Sequence, residues 1–330
     1  MTTLTALLAS AIIMTTALSL PDYKRPITVT ETRHKHHYHD HWKTKTVTRT
    51  ASPTCSKAAQ PSKMPTDLWP GWEGITHMFT FGDSYTTTGF NHTLAQPSLA
   101  NPLGNPDYPG YTATNGPNWV DFLTTTHNAT FLQTINLASG GATVDSTLVQ
   151  PYQPTVLSLT EQIQTLYLPN YSSSPDYFVW RPDSTLFATF IGINDIGNSY
   201  YNANSTLYTQ IFTSYALQID ALYQSGGRNF LFLNVPPVDL SPLTVEQGAE
   251  AQALEAGVVA SWNQNVTVLA RNLSSTYADA RVFVFDTHAL FTRVLEEPCE
   301  WVETCGYRNL TGFCKACEFL PCSFFPLVVL

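Results

Sequence analysis

The sequence predicts an α/β protein in which a five-stranded parallel sheet is covered by helices on both faces, a three-layer α/β/α sandwich. Short runs rich in β-branched and aromatic residues alternate with stretches whose apolar residues recur at spacings of three and four. Each short run also ends in a turn signal, and strands that alternate with helices favour a parallel sheet. The predicted strands span residues 77–81, 130–137, 185–191, 229–234 and 281–285.

Five stretches between and after these strands carry the helical pattern. The longest runs over residues 245–273, where Trp262, Val266, Leu269 and Leu273 recur on one face. The others span residues 118–126, 157–168, 207–223 and 289–297. The segment 101–119 is rich in Gly, Pro and Asn, so we expect a long loop that walls a pocket beside the first strand end.

Composition favours a secreted glycoprotein. Charged residues make up 12% of the chain, against about 25% in an ordinary soluble domain. Glycosylation sequons of the form N-x-S/T offer another way to keep such a surface hydrated. They lie at Asn91, Asn128, Asn170, Asn204, Asn265, Asn272 and Asn309. The net charge of −9 argues against nucleic acid as the main partner.

The N-terminal part predicts export followed by a linker. Residues 1–19 carry a short uncharged apolar stretch typical of a signal peptide, and no other segment is long and apolar enough to cross a membrane. Residues 20–68 are polar, basic and rich in Thr, Ser, Pro and His, which predicts a disordered linker. The histidine tract His34–His41 is either a solvated segment or a loose metal-binding surface.

Cysteine usage agrees with an oxidising compartment. Five of the six cysteines fall in the last 32 residues, and in a secreted chain they are expected to form disulfides. The pair Cys314-x-x-Cys317 could form half of a zinc site, but no second such pair accompanies it. We therefore expect neither a metal nor another cofactor.

Three strand ends carry residues suited to ester hydrolysis. The first predicted strand delivers Ser84, a candidate nucleophile, and the next two deliver Gly141 and Asn194. A glycine allows close approach of its backbone N–H, and an asparagine amide is a neutral donor, so both could stabilise an oxyanion. Each residue alone is more typical of a turn or cap. Together, at successive strand ends, they indicate a serine esterase.

The three segments resemble conserved blocks of a known family. FTFGDSYT, NLASGGATVD and IGINDIG are similar to the first three blocks of the GDSL, or SGNH, hydrolases, and NPLGNPDYPGYTATNGPNWVDFLT and LNVPPVDLSP resemble the branch called carbohydrate esterase family 16. The resemblance covers residues 69–312. It implies a flavodoxin-like fold, Ser84 as nucleophile, and Gly141 and Asn194 as the oxyanion hole. The implied substrates are acetylated carbohydrates, such as xylo-oligosaccharides, and small acetate esters.

The sequence does not provide the general base in the pattern that the family uses. The family carries its acid and base as Asp-x-x-His in a loop after the fifth strand, whereas this chain offers Asp286 and His288 one residue apart, where that strand runs into a helix. We therefore do not assign them. Residues 313–330 form a divergent, Cys-rich apolar tail, and we expect a shortened or misread chain with weak or no turnover.

Two alternatives to a secreted esterase stay open at this point. The chain could be a non-catalytic glycan-binding protein on the same scaffold, or a surface or metal-binding protein that acts through the tract His34–His41. The sequence does not specify the oligomeric state, the sugar or the acyl length.

Overall fold

A computed structural model of the chain describes residues 69–114, 116–202, 204–305 and Leu310. Its sheet confirms the predicted α/β class. Five parallel strands lie in the order β2-β1-β3-β4-β5, which is the flavodoxin-like order. They are β1 (His77–Gly82), β2 (Gln133–Asn136), β3 (Thr185–Phe190), β4 (Asn229–Leu233) and β5 (Arg281–Phe285).

Side chains alternate along the central strands between two separate cores. In β1, Phe79 and Phe81 enter one apolar cluster, and Met78 enters the other. In β4, Phe230 belongs to the first cluster and Leu231 to the second. Because successive side chains of a strand point to opposite faces, the sheet is the middle layer of three, as predicted.

The helices cover both faces of this sheet. They are α1 (Trp119–Thr125), α2 (Leu159–Glu161), α3 (Leu168–Tyr171), α4 (Ile193–Gly197), α5 (Ser205–Gln224), α6 (Pro242–Val245), α7 (Ala249–Thr276) and α8 (Thr287–Glu296). The first core contains residues of the two longest helices, α5 and α7, and the second contains residues of α1 and α8.

Two predicted helices differ in detail from the observed elements. The stretch predicted as 157–168 is helical from Leu159, but α2 passes into a π-helical segment, Gln162–Tyr167, which continues into α3. The stretch predicted as 245–273 is interrupted after α6, and α7 begins after Gly248, whose φ of +97° is a left-handed conformation that favours glycine. Apolar periodicity continues across that break, so it could not reveal the interruption. Strand β2 is also shorter than the predicted 130–137.

The described part of the chain bears on several further predictions. Cys299 and Cys305 form a disulfide. Within the described ranges, no helix is long and apolar enough to span a membrane, and no group of three His, Cys, Asp or Glu side chains could hold a metal ion. The predicted signal peptide, the linker, the tail 313–330, Asn309 and the remaining four cysteines lie outside the described residues.

Candidate active site

The candidate nucleophile lies on a tight turn directly after β1. The backbone N–H groups of Thr86 and Thr87 donate to the Asp83 carbonyl at 3.1 and 2.9 Å, and the Tyr85 N–H donates to the Asp83 Oδ1 at 3.0 Å. Ser84 is half-buried within this turn. The local hydrogen bonds therefore fix the backbone on both sides of the serine.

Gly82 ends β1 in a position that only glycine fills without a clash. Its φ is +149°, and a Cβ there would lie 2.2 Å from the carbonyl oxygen of Phe190 in β3. The buried side chain of Gln162 accepts from the Gly82 N–H at 2.9 Å and donates to the Gly82 carbonyl at 2.8 Å. Gln162 therefore satisfies the last backbone groups of β1 as a neighbouring strand would, immediately before Asp83 and Ser84.

Two buried asparagines hold the chain just beyond Ser84. The Thr86 carbonyl accepts from Asn118 Nδ2 at 2.9 Å and from Asn136 Nδ2 at 2.7 Å. Asn118 also caps the N-terminus of α1, where it forms a capping box with Asp121. The sequence predictions missed these contacts, because an asparagine at a helix start or strand end has an ordinary local explanation.

The structure brings the segments of Ser84, Gly141 and Asn194 together at one edge of the sheet. A Cβ added to Gly140 would lie 3.9 Å from the Ser84 Cβ, so this glycine faces the nucleophile turn. On the other side of Gly141, the Ala142 carbonyl accepts a hydrogen bond of 2.9 Å from Asn194 Nδ2. Gly141 therefore lies between Gly140, which faces Ser84, and Ala142, whose carbonyl is bonded to Asn194.

This arrangement provides donors for an oxyanion. Asn194 lies in α4, directly after β3, and its amide has a second N–H besides the one donated to Ala142. Asp195 fixes the same two segments to each other, because both of its carboxylate oxygens accept from the Val144 N–H at 3.1 Å. The roles of Ser84 as nucleophile and of Gly141 and Asn194 as oxyanion donors remain predictions that this geometry supports.

Two acids buried beside these residues titrate near neutrality. Burial raises the pKa of Asp83 to about 7, although the Tyr85 N–H bond partly offsets the shift. Burial also raises the pKa of Asp195 to about 7, against the opposing hydrogen bond from Val144. Below neutral pH both carboxyl groups therefore hold a proton, and the site gains little negative charge from them.

Two of the four described histidines, His77 and His127, have rings that pack against aromatic residues. His77 is the first residue of β1, at the opposite end of the strand from Ser84, and its ring packs edge-on against Phe178 at 5.1 Å. His127 packs against Phe122 at the end of α1. His92 is half-buried in the loop that follows the turn of Ser84.

Asp286 and His288 have structural partners at the β5–α8 junction. Asp286 is the N-cap of α8, where its side chain accepts from the Ala289 N–H and from Asn234 Nδ2. The His288 N–H donates to the Asn234 Oδ1 at 3.0 Å. Strand β5 is three positions from β1, or about 14 Å at roughly 4.8 Å per strand. Among the described residues, no hydrogen bond joins the Ser84 hydroxyl to a histidine.

Comparisons with known proteins identify the class to which this fold and site belong. The profile of the GDSL-like lipase/acylhydrolase family matches residues 78–306, so the chain belongs to that family. This match includes all three strand-end segments. The family and the relatives described next place the chain among the carboxylic ester hydrolases.

Three relatives extend this finding. An acetylesterase of Thermothelomyces thermophilus is 39% identical over 227 residues, covering 68% of this chain and 75% of its own. An acetylesterase of Hypocrea jecorina is 22% identical over 276 residues, covering 74% and 78%. A GDSL esterase/lipase of Arabidopsis thaliana is 24% identical over 280 residues, covering 72% and 73%.

Proposed function

We propose that this chain is a secreted serine acetylesterase that removes acetyl groups from plant-derived oligosaccharides. The observation that carries the proposal is the convergence of Ser84, Gly141 and Asn194 at the end of three strands. In that arrangement the hydroxyl can attack a carbonyl carbon while the backbone N–H and the carboxamide N–H donate to the carbonyl oxygen. The two relatives named as acetylesterases support acetyl as the acyl group.

In this proposal Ser84 Oγ bonds to the acetyl carbon while the bond from that carbon to the sugar oxygen breaks, which gives an acetyl-enzyme. Because no described histidine is bonded to Ser84, water carries the serine proton to the departing sugar oxygen, and we expect slow turnover. The negative charge that develops on the carbonyl oxygen is stabilised by the N–H groups of Gly141 and Asn194. Water then attacks the acetyl-enzyme to release acetate and restore the Ser84 hydroxyl. The backbone bonds made by Gln162, Asn118 and Asn136 hold the nucleophile turn in place during both steps.

Secretion and glycosylation belong to the same proposal. The apolar N-terminal segment, the low charge content and the sequons support them. Of the described sequons, Asn91, Asn204 and Asn272 are exposed.

The proposal is tested by acetate release from acetylated xylo-oligosaccharides and from ethyl acetate, using the full chain and the Ser84→Ala variant. We expect the wild-type chain to release acetate from both substrates above the rate in buffer. Ser84→Ala should reduce release to background while its thermal unfolding midpoint stays close to that of the wild type. Equal release by the two proteins, or no release by either, would contradict the proposal.

A further inference from the structure

Tyr152 is an exposed aromatic residue in direct contact with Gly141. Tyr152 is 70% exposed, so most of its aromatic surface is free to contact a ligand. A Cβ added to Gly141 would lie 2.3 Å from Tyr152 Cε1 and 2.5 Å from Cδ1. One edge of the ring therefore covers Gly141, and most of its remaining surface faces solvent.

Two other segments hold the loop that carries Tyr152 in place. Just before Tyr152, the Val149 carbonyl accepts from Thr143 Oγ1 at 2.8 Å, and the Gln150 carbonyl accepts from Asn198 Nδ2 at 3.3 Å. Thr143 belongs to the segment of Gly141, and Asn198 follows α4, which contains Asn194. The position of the ring is therefore coupled to both segments that supply the candidate oxyanion donors.

The surroundings of the ring indicate the chemical class of its ligand. Gln150 and Gln153, on the same loop, and Asn198 are all exposed amide side chains. A pyranose ring combines an apolar C–H face, which can stack on an aromatic ring, with hydroxyl groups that can pair with amides. A long acyl chain would instead cover these amides without pairing them, which costs free energy.

We propose that Tyr152 is the stacking residue for the sugar ring that bears the acetyl group, and that it makes the site selective for saccharide esters over small esters. This inference rests on the proposed function, since it assigns the leaving-group side of the same site. The acetyl carbonyl would lie at Gly141, and the sugar would lie over the exposed face of the adjacent Tyr152 ring.

The test measures kcat/KM for two esters, acetylated xylo-oligosaccharide and ethyl acetate, in Tyr152→Ala, Tyr152→Phe and Tyr177→Ala. Loss of the apolar contact should lower kcat/KM for the saccharide about tenfold in Tyr152→Ala, mostly through KM, and change ethyl acetate hydrolysis less than about twofold. Tyr152→Phe keeps the ring and should stay close to the wild type on both esters. Tyr177, 52% exposed and hydrogen-bonded to the Asn170 carbonyl, is the matched control and should have no effect.

Three results separate this inference from the proposed function. If Tyr152→Ala lowers kcat equally for both esters, the ring only supports Gly141, and the stacking role is wrong. If the wild type hydrolyses the saccharide ester and Tyr152→Ala does so equally well, the stacking role is also wrong, although the proposed function stands. If the wild type hydrolyses ethyl acetate but not the saccharide, both the substrate class and the stacking role fail, and only the esterase chemistry remains.

A binding measurement gives a second readout that does not depend on turnover. In a Ser84→Ala background, deacetylated xylo-oligosaccharide is titrated while tyrosine and tryptophan fluorescence is recorded. We expect saturable binding that is weakened about tenfold by the added Tyr152→Ala change. Equal binding with and without Tyr152 would overturn the inference.

Discussion

Asn194 carries two amide N–H groups, and its side chain makes one hydrogen bond within the described chain, to the Ala142 carbonyl. The second amide N–H of Asn194 is the donor that the proposed chemistry needs for the oxyanion. The hydrogen bond from this N–H should stabilise the transition state, in which the carbonyl oxygen gains negative charge, and should contribute little to substrate binding.

Asn194→Ala should therefore lower kcat for acetate release by about 10²–10³ and leave KM nearly unchanged. Asn202→Ala is a suitable control, because Asn202 is an exposed asparagine eight residues further along. A loss that appears mainly in KM would show that Asn194 binds the ground state and is not an oxyanion donor.

His288 is the informative residue for the missing base. Its backbone is bonded to Asn234, and the adjacent acid Asp286 is used as a helix cap. Because we do not assign His288 as the base, we expect His288→Ala to change kcat/KM for ethyl acetate by less than about threefold. Removal of a true base from a serine hydrolase would instead cost orders of magnitude in rate. Steady-state kinetics across pH 5–8 provides the measurement. A fall to the level of Ser84→Ala would show that His288 is the base after all.

The residues of the candidate site show which of its features could be predicted from the sequence. Ser84, Gly141 and Asn194 follow strand ends within short motifs, so both their edge of the sheet and their chemistry could be predicted. Gln162 and Asn136 act through contacts with residues 80 and 50 positions away. Such pairings depend on tertiary structure, and no local pattern indicates them.

Among the elements, the π-helical segment Gln162–Tyr167 has the clearest link to the site. A π-turn shifts the side chains that follow it relative to a regular α-helix, and such segments are frequent at functional sites. Here the segment begins with Gln162, which hydrogen-bonds both backbone groups of Gly82 and also the Leu157 carbonyl.

Gln162→Ala should lower the free energy of unfolding by about 1–3 kcal/mol, since it leaves the buried Gly82 N–H without its partner, whereas the Gly82 carbonyl keeps its hydrogen bond from the Ser139 N–H. Urea denaturation measures this change. Gln164→Ala lies two residues away in the same segment, where the exposed side chain makes one hydrogen bond, to Gln218 Oε1, and we expect a change below about 1 kcal/mol. Equal destabilisation by both substitutions would mean that the segment, and not the Gly82 contact, carries the effect.

At the scale of the whole molecule, buried acids make stability depend on pH. Burial raises the pKa of Asp83, Asp121 and Asp195 from an ordinary 3.8 to about 7. Between about pH 4 and pH 7 the folded chain holds protons that the unfolded chain has released, so the free energy of unfolding falls as pH rises through this range. His77 and His127 act in the opposite sense, because burial lowers their pKa, but both are only half-buried.

The urea midpoint should therefore be higher at pH 5 than at pH 8. Asp121→Asn should reduce this difference, because it removes one of the three carboxyl groups whose pKa burial raises to about 7, whereas Asp176→Asn, at an exposed position, should leave it unchanged. A midpoint that is constant or rises from pH 5 to pH 8 would contradict the assignment of buried, protonated carboxyl groups.

The fold as a whole was the most predictable feature. Strand and helix periodicities specified the layers, and the parallel sheet followed from their alternation. Two features of the helices were not predictable. The π-helical segment Gln162–Tyr167 keeps an apolar face, and the interruption at Glu246–Gly248 lies within an apolar pattern that continues beyond it. Helix periodicity reports which face is buried and says little about how the backbone turns between two buried residues.

The most direct test of the account is a crystal structure of the chain after reaction with a serine-reactive phosphonate that mimics the tetrahedral intermediate. We predict a covalent bond from Ser84 Oγ to phosphorus, with the phosphonyl oxygen about 2.7–3.1 Å from the Gly141 nitrogen and from Asn194 Nδ2. An adduct on another residue, or a phosphonyl oxygen turned away from both nitrogens, would contradict the assignment of this site as an esterase centre.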